Sequence, residues 1–208
     1  MKIKQAIVFA VCVVALVTAG CQSANSNKPA TNTATADLPH VLIETQAGNI
    51  EVELDAKHAP ITAKNFLGYV DAGLYDRGAF FRTVTLSNQP TNNIKIQVIQ
   101  AEADTARRRE YLAAIPLERT RDTGLRHTDG SLSMARYGPD TARDSFSIVI
   151  GDQPEMDFGG KRNADGQGFA VFGHVVKGMD VVHKIQSSPA QEQQLRPRIG
   201  IVHVSRVK

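Results

Sequence analysis

Val41-Leu42-Ile43-Glu44-Thr45-Gln46-Ala47-Gly48-Asn49-Ile50-Glu51-Val52-Glu53-Leu54 holds two strand patterns back to back. Val41–Thr45 is a short apolar run. In Asn49–Leu54, Ile50, Val52 and Leu54 alternate with polar partners, the period of a strand with one buried face. Ala47-Gly48 between them reads as a hairpin turn. Downstream, Pro60 opens a helix, because the N–H that proline lacks has no intrahelical partner at the first helical position. Ala63, Phe66, Leu67 and Val70 recur at i, i+3, i+4 and i+7 and form one apolar face, with Gly73 as the candidate C-cap. Further strand patterns run over 79–84, 94–100, 131–135, 146–150, 170–176 and 199–207, and a second short helix spans Met179 to about Ile185. Many strands with one early and one late helix point to a closed antiparallel barrel capped by helices. Periodicity alone leaves a sandwich open.

Upstream of the hairpin the character changes. Gln22 to Asp37 is Ser, Asn, Thr, Ala and Lys without apolar periodicity, a composition that buries too little surface to offset ordering, so it reads as a tether. Before it, Lys2 and Lys4 precede an apolar and small-residue run from Ala6 to Gly20 that ends at Cys21. The run is short for a membrane-spanning helix and has the anatomy of a secretory signal. Leu16-Val17-Thr18-Ala19-Gly20-Cys21 resembles the bacterial lipobox, in which the cysteine thiol is acylated and becomes the new N-terminus, although Thr18 stands where Leu is usual. The alternative is an ordinary signal cut near Ala19 with Cys21 an idle thiol. The expected organisation is a signal over 1–20, a lipidated Cys21 and tether over 21–38, and one folded domain over 39–208.

Composition narrows the function. The chain has 208 residues with 24 basic and 21 acidic ones, and loss of Lys2 and Lys4 with the signal leaves it near neutral. There is no Trp, no basic stripe and no aromatic-basic alternation, which argues against nucleic-acid binding. Of the two cysteines, Cys12 lies inside the signal, so no disulfide forms within the mature chain. No Cys/His cluster has metal-ligand spacing, so no metal is expected. The six histidines show no nucleophile–base spacing; His58 and His127 read as turn residues, His174 and His203 as strand residues.

Three blocks carry a family likeness. The first is Ala59-Pro60, Asn65-Phe66, Gly73-Leu74-Tyr75-Asp76 and Phe80-Phe81-Arg82. The second is Ser131-Leu132-Ser133-Met134-Ala135, continued by Gly138-Pro139-Asp140-Thr141 and Ser145-Phe146. The third is Phe172-Gly173-His174-Val175-Val176-Lys177-Gly178-Met179-Asp180-Val181-Val182. In this order they resemble the cyclophilin-type peptidyl-prolyl cis-trans isomerases, from about Val41 to Val207. The resemblance implies a mainly β fold, a closed eight-stranded antiparallel barrel capped by two helices, with a substrate groove on its outer face and no cofactor. It implies Arg82 as the catalytic arginine and Gln100 as the groove glutamine. Phe81 precedes that arginine at the groove, and Val98 takes the place of a pocket methionine. Ala135-Arg136 lie where the family binds substrate backbone through Ala-Asn, and Met156 matches a pocket leucine. Several positions depart from the pattern. Gln97 and Ser147 stand where the family has Phe, Ser145 where it has Gln, Glu155 where many members have Trp, and Phe169 where they have His. The departures bear on turnover and sequence preference.

The residues themselves suit that chemistry. A fixed guanidinium is always charged, and its planar fork donates to two acceptors at once. Read alone, Arg82 is a solvated strand arginine; within Phe-Phe-Arg it is the candidate catalytic head. Gln100 either holds Arg82, binds a substrate carbonyl, or is an edge-strand amide. Met134 and Phe146 read as core, while Met156 and Phe169 divide evenly between groove and core. Asp165-Gly166-Gln167-Gly168 lacks the strand-before, helix-after context of a phosphate loop. The expected function is prolyl isomerisation in a bacterial envelope, lipid-anchored and facing the periplasm. Gln22 after Cys21 favours the outer over the inner membrane. The expected partners are proline-containing unfolded or exported polypeptides, and the membrane through acyl chains. The alternative is a proline-peptide binding or chaperone module of the same fold with little turnover.

Overall fold

Strands β1 (His40–Thr45) and β2 (Gly48–Leu54) form the opening hairpin of a computed structural model that describes residues 38–207. The expected signal, Cys21 and nearly all of the expected tether lie outside the described residues. The hairpin turn is Gln46-Ala47, one residue earlier than the Ala47-Gly48 expected, because Thr45 pairs with Gly48 across it. The Thr45 hydroxyl fixes this turn by accepting from the N–H groups of Ala47 and Gly48. Gly48, at φ +140°, needs to be glycine for space as well: a Cβ there would meet Val181 Cγ2 at 2.7 Å.

Helix α1 follows at Pro60–Asp71, then β3 (Ala79–Val84), β4 (Val98–Glu102), a four-residue helix α2 (Thr120–Thr123), β5 (Ser131–Met134) and β6 (Phe146–Val149). Strand β7 (Ala170–Lys177), helix α3 (Met179–Gln186) and strands β8 (Ala190–Gln191) and β9 (Gln194–Arg206) complete the fold. Eight strands pair in the order β1-β2-β7-β5-β6-β4-β3-β9, and β9 pairs back onto β1. Every pairing is antiparallel, so the sheet closes into an eight-stranded barrel, and β8 is a two-residue appendage on β9. Closure removes the sheet edges that an open sandwich would leave unpaired.

Two strand starts differ from the sequence pattern by more than one residue, each for a physical reason. Strand β4 begins at Val98 rather than Ile94, because the Gln89 side chain accepts from Ile96 N at 3.2 Å and donates to Ile96 O at 2.8 Å, taking the groups a neighbouring strand would use. Strand β9 begins five residues before Ile199, through the polar stretch Gln194-Leu195-Arg196-Pro197-Arg198. Its register to β3 shifts there, so Pro197, without an N–H, sits outside the paired positions.

Helix α1 buries Ala63, Phe66, Leu67 and Val70, the face read from the spacing. Phe66 inserts among Tyr75, Phe146 and Phe172, with ring centroids at 5.1, 5.2 and 5.3 Å. Each such ring pair adds about 0.5–1.5 kcal/mol beyond area burial. Helix α3 buries Val182 and Ile185. Met134 and Phe146 are core residues, each 1% exposed.

Candidate functional site

The site grows out of one irregularity in β3. Phe80 pairs with Ala101 and points into the core, yet Arg82, two residues on, pairs with Gln100, only one residue back along β4. In a regular strand Arg82 would share the inward face of Phe80. The bulge at Phe81 inserts the extra residue that turns Arg82 outward. Sequence alternation therefore could not by itself place the arginine.

The bulge sets Arg82 in a row of outward-facing partners that crosses five strands. Ser133 (β5) pairs with Ser147 (β6), Ser147 with Gln100 (β4), Gln100 with Arg82 (β3), and Arg82 with Gln194 (β9). Arg82 Nη1 donates to Gln100 Oε1 at 3.0 Å, and Gln100 Nε2 donates to Ser145 Oγ at 3.0 Å. Ser145 Oγ in turn donates to Ala101 O at 2.8 Å. On its other edge Arg82 donates from Nε and Nη2 to Gln193 Oε1, at 2.9 and 2.5 Å. Three of the guanidinium's five N–H groups are thus committed, and one on each terminal nitrogen has no protein partner. Burial, with the nearby charge of Arg162, draws the Arg82 pKa below its ordinary value. An arginine stays protonated at neutral pH all the same.

Above this row lies a hollow of about 1100 Å³ whose lining includes Phe81, Arg82, Gln100, Ala135, Arg136 and Ser145. Tyr137 stands fully exposed on its wall. The Arg136 side chain is 1% exposed and committed: it donates to both Asp165 carboxylate oxygens and to Gly168 O, and it lies 5.3 Å from the Phe169 ring. What Arg136 offers the hollow is its backbone.

Val98, Ser147, Met156 and Phe169 do not line that hollow, although they share its face of the barrel. Val98 lies two residues from Gln100, about 7 Å along the strand, and pairs with Val84 and Val149. These valines, Ile96 and Met156 form a second apolar cluster outside the barrel, with Phe169 packed against it. Val98 and Met156 are each 3% exposed, and Ser147 is 7% exposed. The sequence reading did not include Gln193, which reaches Arg82 from a turn more than a hundred residues away and carries no motif.

His127, read as a turn residue, is instead buried, with Nδ1 2.7 Å from Asp157 Oδ1 and Nε2 2.9 Å from Ser133 Oγ. Among the described residues no three His, Cys, Asp or Glu side chains gather to hold a metal ion, and no helix is long and apolar enough to cross a membrane.

A model of the family described as cyclophilin type peptidyl-prolyl cis-trans isomerase/CLD matches residues 40–206. Among curated proteins, the peptidyl-prolyl cis-trans isomerase A of Dickeya dadantii is 36% identical over 159 residues, covering 76% of this chain and 75% of that protein. A peptidyl-prolyl cis-trans isomerase of Acinetobacter baylyi is 38% identical over 150 residues, covering 72% of each. Among solved structures, a cyclophilin type peptidyl-prolyl cis-trans isomerase of Cryptosporidium parvum superposes with a TM-score of 0.65 at 20% identity, over 82% of this chain and 98% of that one. A second structure of that protein, in the presence of the dipeptide Ala-Pro, gives a TM-score of 0.64. At that identity the superposition speaks for the fold.

Proposed function

Because this chain belongs to the cyclophilin-type peptidyl-prolyl cis-trans isomerase family, we propose that it isomerises X–Pro bonds with Arg82 as the catalytic residue. The obstacle is the partial double-bond character of the amide, a barrier of about 18–20 kcal/mol that takes tens to hundreds of seconds to cross unaided. No bond to the substrate need form. As the amide twists, conjugation is lost and the prolyl nitrogen regains its lone pair. A donor waiting there stabilises the twisted state more than either planar isomer, which is what lowers a barrier. The two unpartnered N–H groups of Arg82 can supply it, one toward the nitrogen and one toward a neighbouring carbonyl. Gln100, the Ala135-Arg136 backbone and Ser145 flank the peptide, and the half-buried Phe169, packed on the buried Val98–Met156 cluster, offers apolar surface on the same face. The Ala-Pro dipeptide present with the Cryptosporidium protein is in keeping with a proline-containing ligand.

The observation that carries this reading is the Arg82 head, held from both sides at the floor of the hollow. A proline-peptide isomerisation assay on the full chain tests it. Arg82→Ala is expected to lower kcat/KM by about a hundredfold or more, the scale of removing one transition-state donor. Equal rates for wild type and variant would refute the catalytic assignment. A second reading, a peptide-binding module with low turnover, is favoured by Ser145, Ser147 and Glu155, each of which replaces a residue that the family uses in its groove. Peptide binding at full strength with turnover near background would select it.

The envelope assignment rests on residues outside the described part of the chain. We place the protein on a membrane of the bacterial envelope through an acylated Cys21, the outer membrane favoured by Gln22, where it would meet exported chains. Mass spectrometry of the mature N-terminus should find S-diacylglyceryl-cysteine, with or without a third acyl chain on its α-amine. A free Cys21 thiol on the mature protein would remove the anchor.

A further inference from the structure

Gln193 sits in the tight turn between β8 and β9, where Glu192 adopts φ +56°. Its own backbone oxygen accepts from Thr83 N at 2.9 Å, which docks the turn on β3 one residue beyond Arg82. Both ends of its side-chain amide are engaged. Oε1 accepts from Nε and Nη2 of Arg82, while Nε2 donates to Asn88 O at 3.1 Å. Asn88 is itself fixed: its Nδ2 donates to Thr83 O and Glu192 O, and its Oδ1 accepts from Thr85 N. This network settles which way the amide faces. Turning it over would aim an NH₂ group at the guanidinium, donor against donor, and leave Asn88 O facing an oxygen.

The geometry matters because Gln100 touches only Nη1. A planar group held by one hydrogen bond at one corner can still pivot about that contact. An acceptor on the Nε/Nη2 edge removes the pivot and defines the plane of the guanidinium. The two remaining N–H groups then point in directions set before the peptide arrives, and catalysis by electrostatic preorganisation depends on that. We infer that Gln193 is a positioning residue for the isomerase reaction, orienting Arg82 from the β8–β9 turn and coupling it through Asn88 to the 85–93 loop. This rests on the catalytic assignment of Arg82; Gln193 itself acts only through that arginine.

A double-mutant cycle on the full chain tests the inference, with kcat and KM measured for wild type, Arg82→Ala, Gln193→Ala and the double variant. Gln193→Ala should lower kcat by about tenfold to a hundredfold, the scale of a misplaced catalytic group, with KM changed less than about twofold. In the Arg82→Ala background the same change should cost nothing further, since there is no head left to orient. Gln193→Met keeps the length of the side chain and removes the acceptor, so it should match the alanine variant even if alanine disturbs the turn. Wild-type kcat in Gln193→Met, or a loss that adds in full to that of Arg82→Ala, would overturn the positioning role while leaving Arg82 catalytic. Equal rates in wild type and Arg82→Ala would remove both assignments together.

Discussion

Ser133, His127 and Asp157 stand in the hydrogen-bonded order that hydrolases use to activate a nucleophile, so their burial decides what they do. The His127 side chain has no exposed surface, Ser133 is 1% exposed, and Asp157 is 6% exposed. No substrate carbonyl can approach Ser133 Oγ, and the chain of hydrogen bonds works as a staple. Asp157 Oδ1 also accepts from His127 N, and His127 O accepts from Gln153 N at 2.8 Å. The loop before β5 is thereby tied to the short helical turn Pro154–Met156, which carries Met156 into the outer apolar cluster. Burial alone would push the Asp157 carboxyl up. The hydrogen bond from His127, with its charge and its backbone N–H, outweighs burial and holds the carboxyl below its ordinary value. Arg82 and Arg136 differ in the same way. Both are largely buried guanidiniums beside one hollow, but Arg136 is neutralised by Asp165, while Arg82 meets only amide oxygens and keeps its field for a ligand.

The segment from Phe158 to Gly168 acts as a strap. Arg136 fastens its far end through Asp165 and Gly168, Arg119 reaches Gln167, and Arg162 Nη1 donates to Ile94 O at 2.7 Å and Gln89 Oε1 at 3.1 Å. Arg162 thus joins the segment before β7 to the segment before β4, the two that contribute Phe169 and Ile96 to the outer cluster. Arg162→Ala should cost on the order of 1–3 kcal/mol, as for hydrogen bonds from a charged donor. Hydrogen exchange should show it locally: the Ile96 amide, held by Gln89, exchanges faster while Val98–Glu102 stays protected. Unchanged Ile96 protection would mean the strap bears no load. Little of this element is legible in the sequence, because Gly-rich loops have no period and their cross-ties depend on where distant loops meet. The barrel is more legible. Ile50, Val52 and Leu54 announce a one-sided strand, and Ala63, Phe66, Leu67 and Val70 announce the capping helix, because burial imposes those periods. Phe80-Phe81-Arg82 marks the arginine through its likeness to a family block, yet its outward aim depends on a bulge that alternation hides. Gln193 has no local signature at all, since its role exists only once β9 has closed against β3.

At the scale of the molecule, closure of the barrel brings the first and last strands together, and carboxylates fasten the seams. Asp71 of α1 pairs with Arg206 of β9, and Glu51 of β2 with Lys177 of β7 and His40 of β1. The Arg206 hydrogen bonds hold Asp71 below its usual 3.8, and those from Lys177 and then His40 hold Glu51 below 4.5. Arg136 pulls Asp165 down to about 2. With Asp157, these groups all bind protons more weakly in the folded chain than in the unfolded one. Where folded pKa values lie below unfolded ones, the unfolded state holds more protons, so stability rises with pH across that window. Their contribution is complete above the unfolded values and is lost as pH falls through the folded ones. The melting temperature should therefore change little through these groups above about pH 5 and drop steeply from about pH 4.5 toward 2. Added salt should weaken the exposed Asp71 and Glu51 pairs and spare the buried Asp157–His127 link. Calorimetry across pH checks this, with Asp157→Asn and Asp71→Asn expected to flatten the acid limb as well as lower the plateau. A melting temperature that held or rose between pH 5 and 2 would show that the charged seams contribute nothing to keeping the barrel shut.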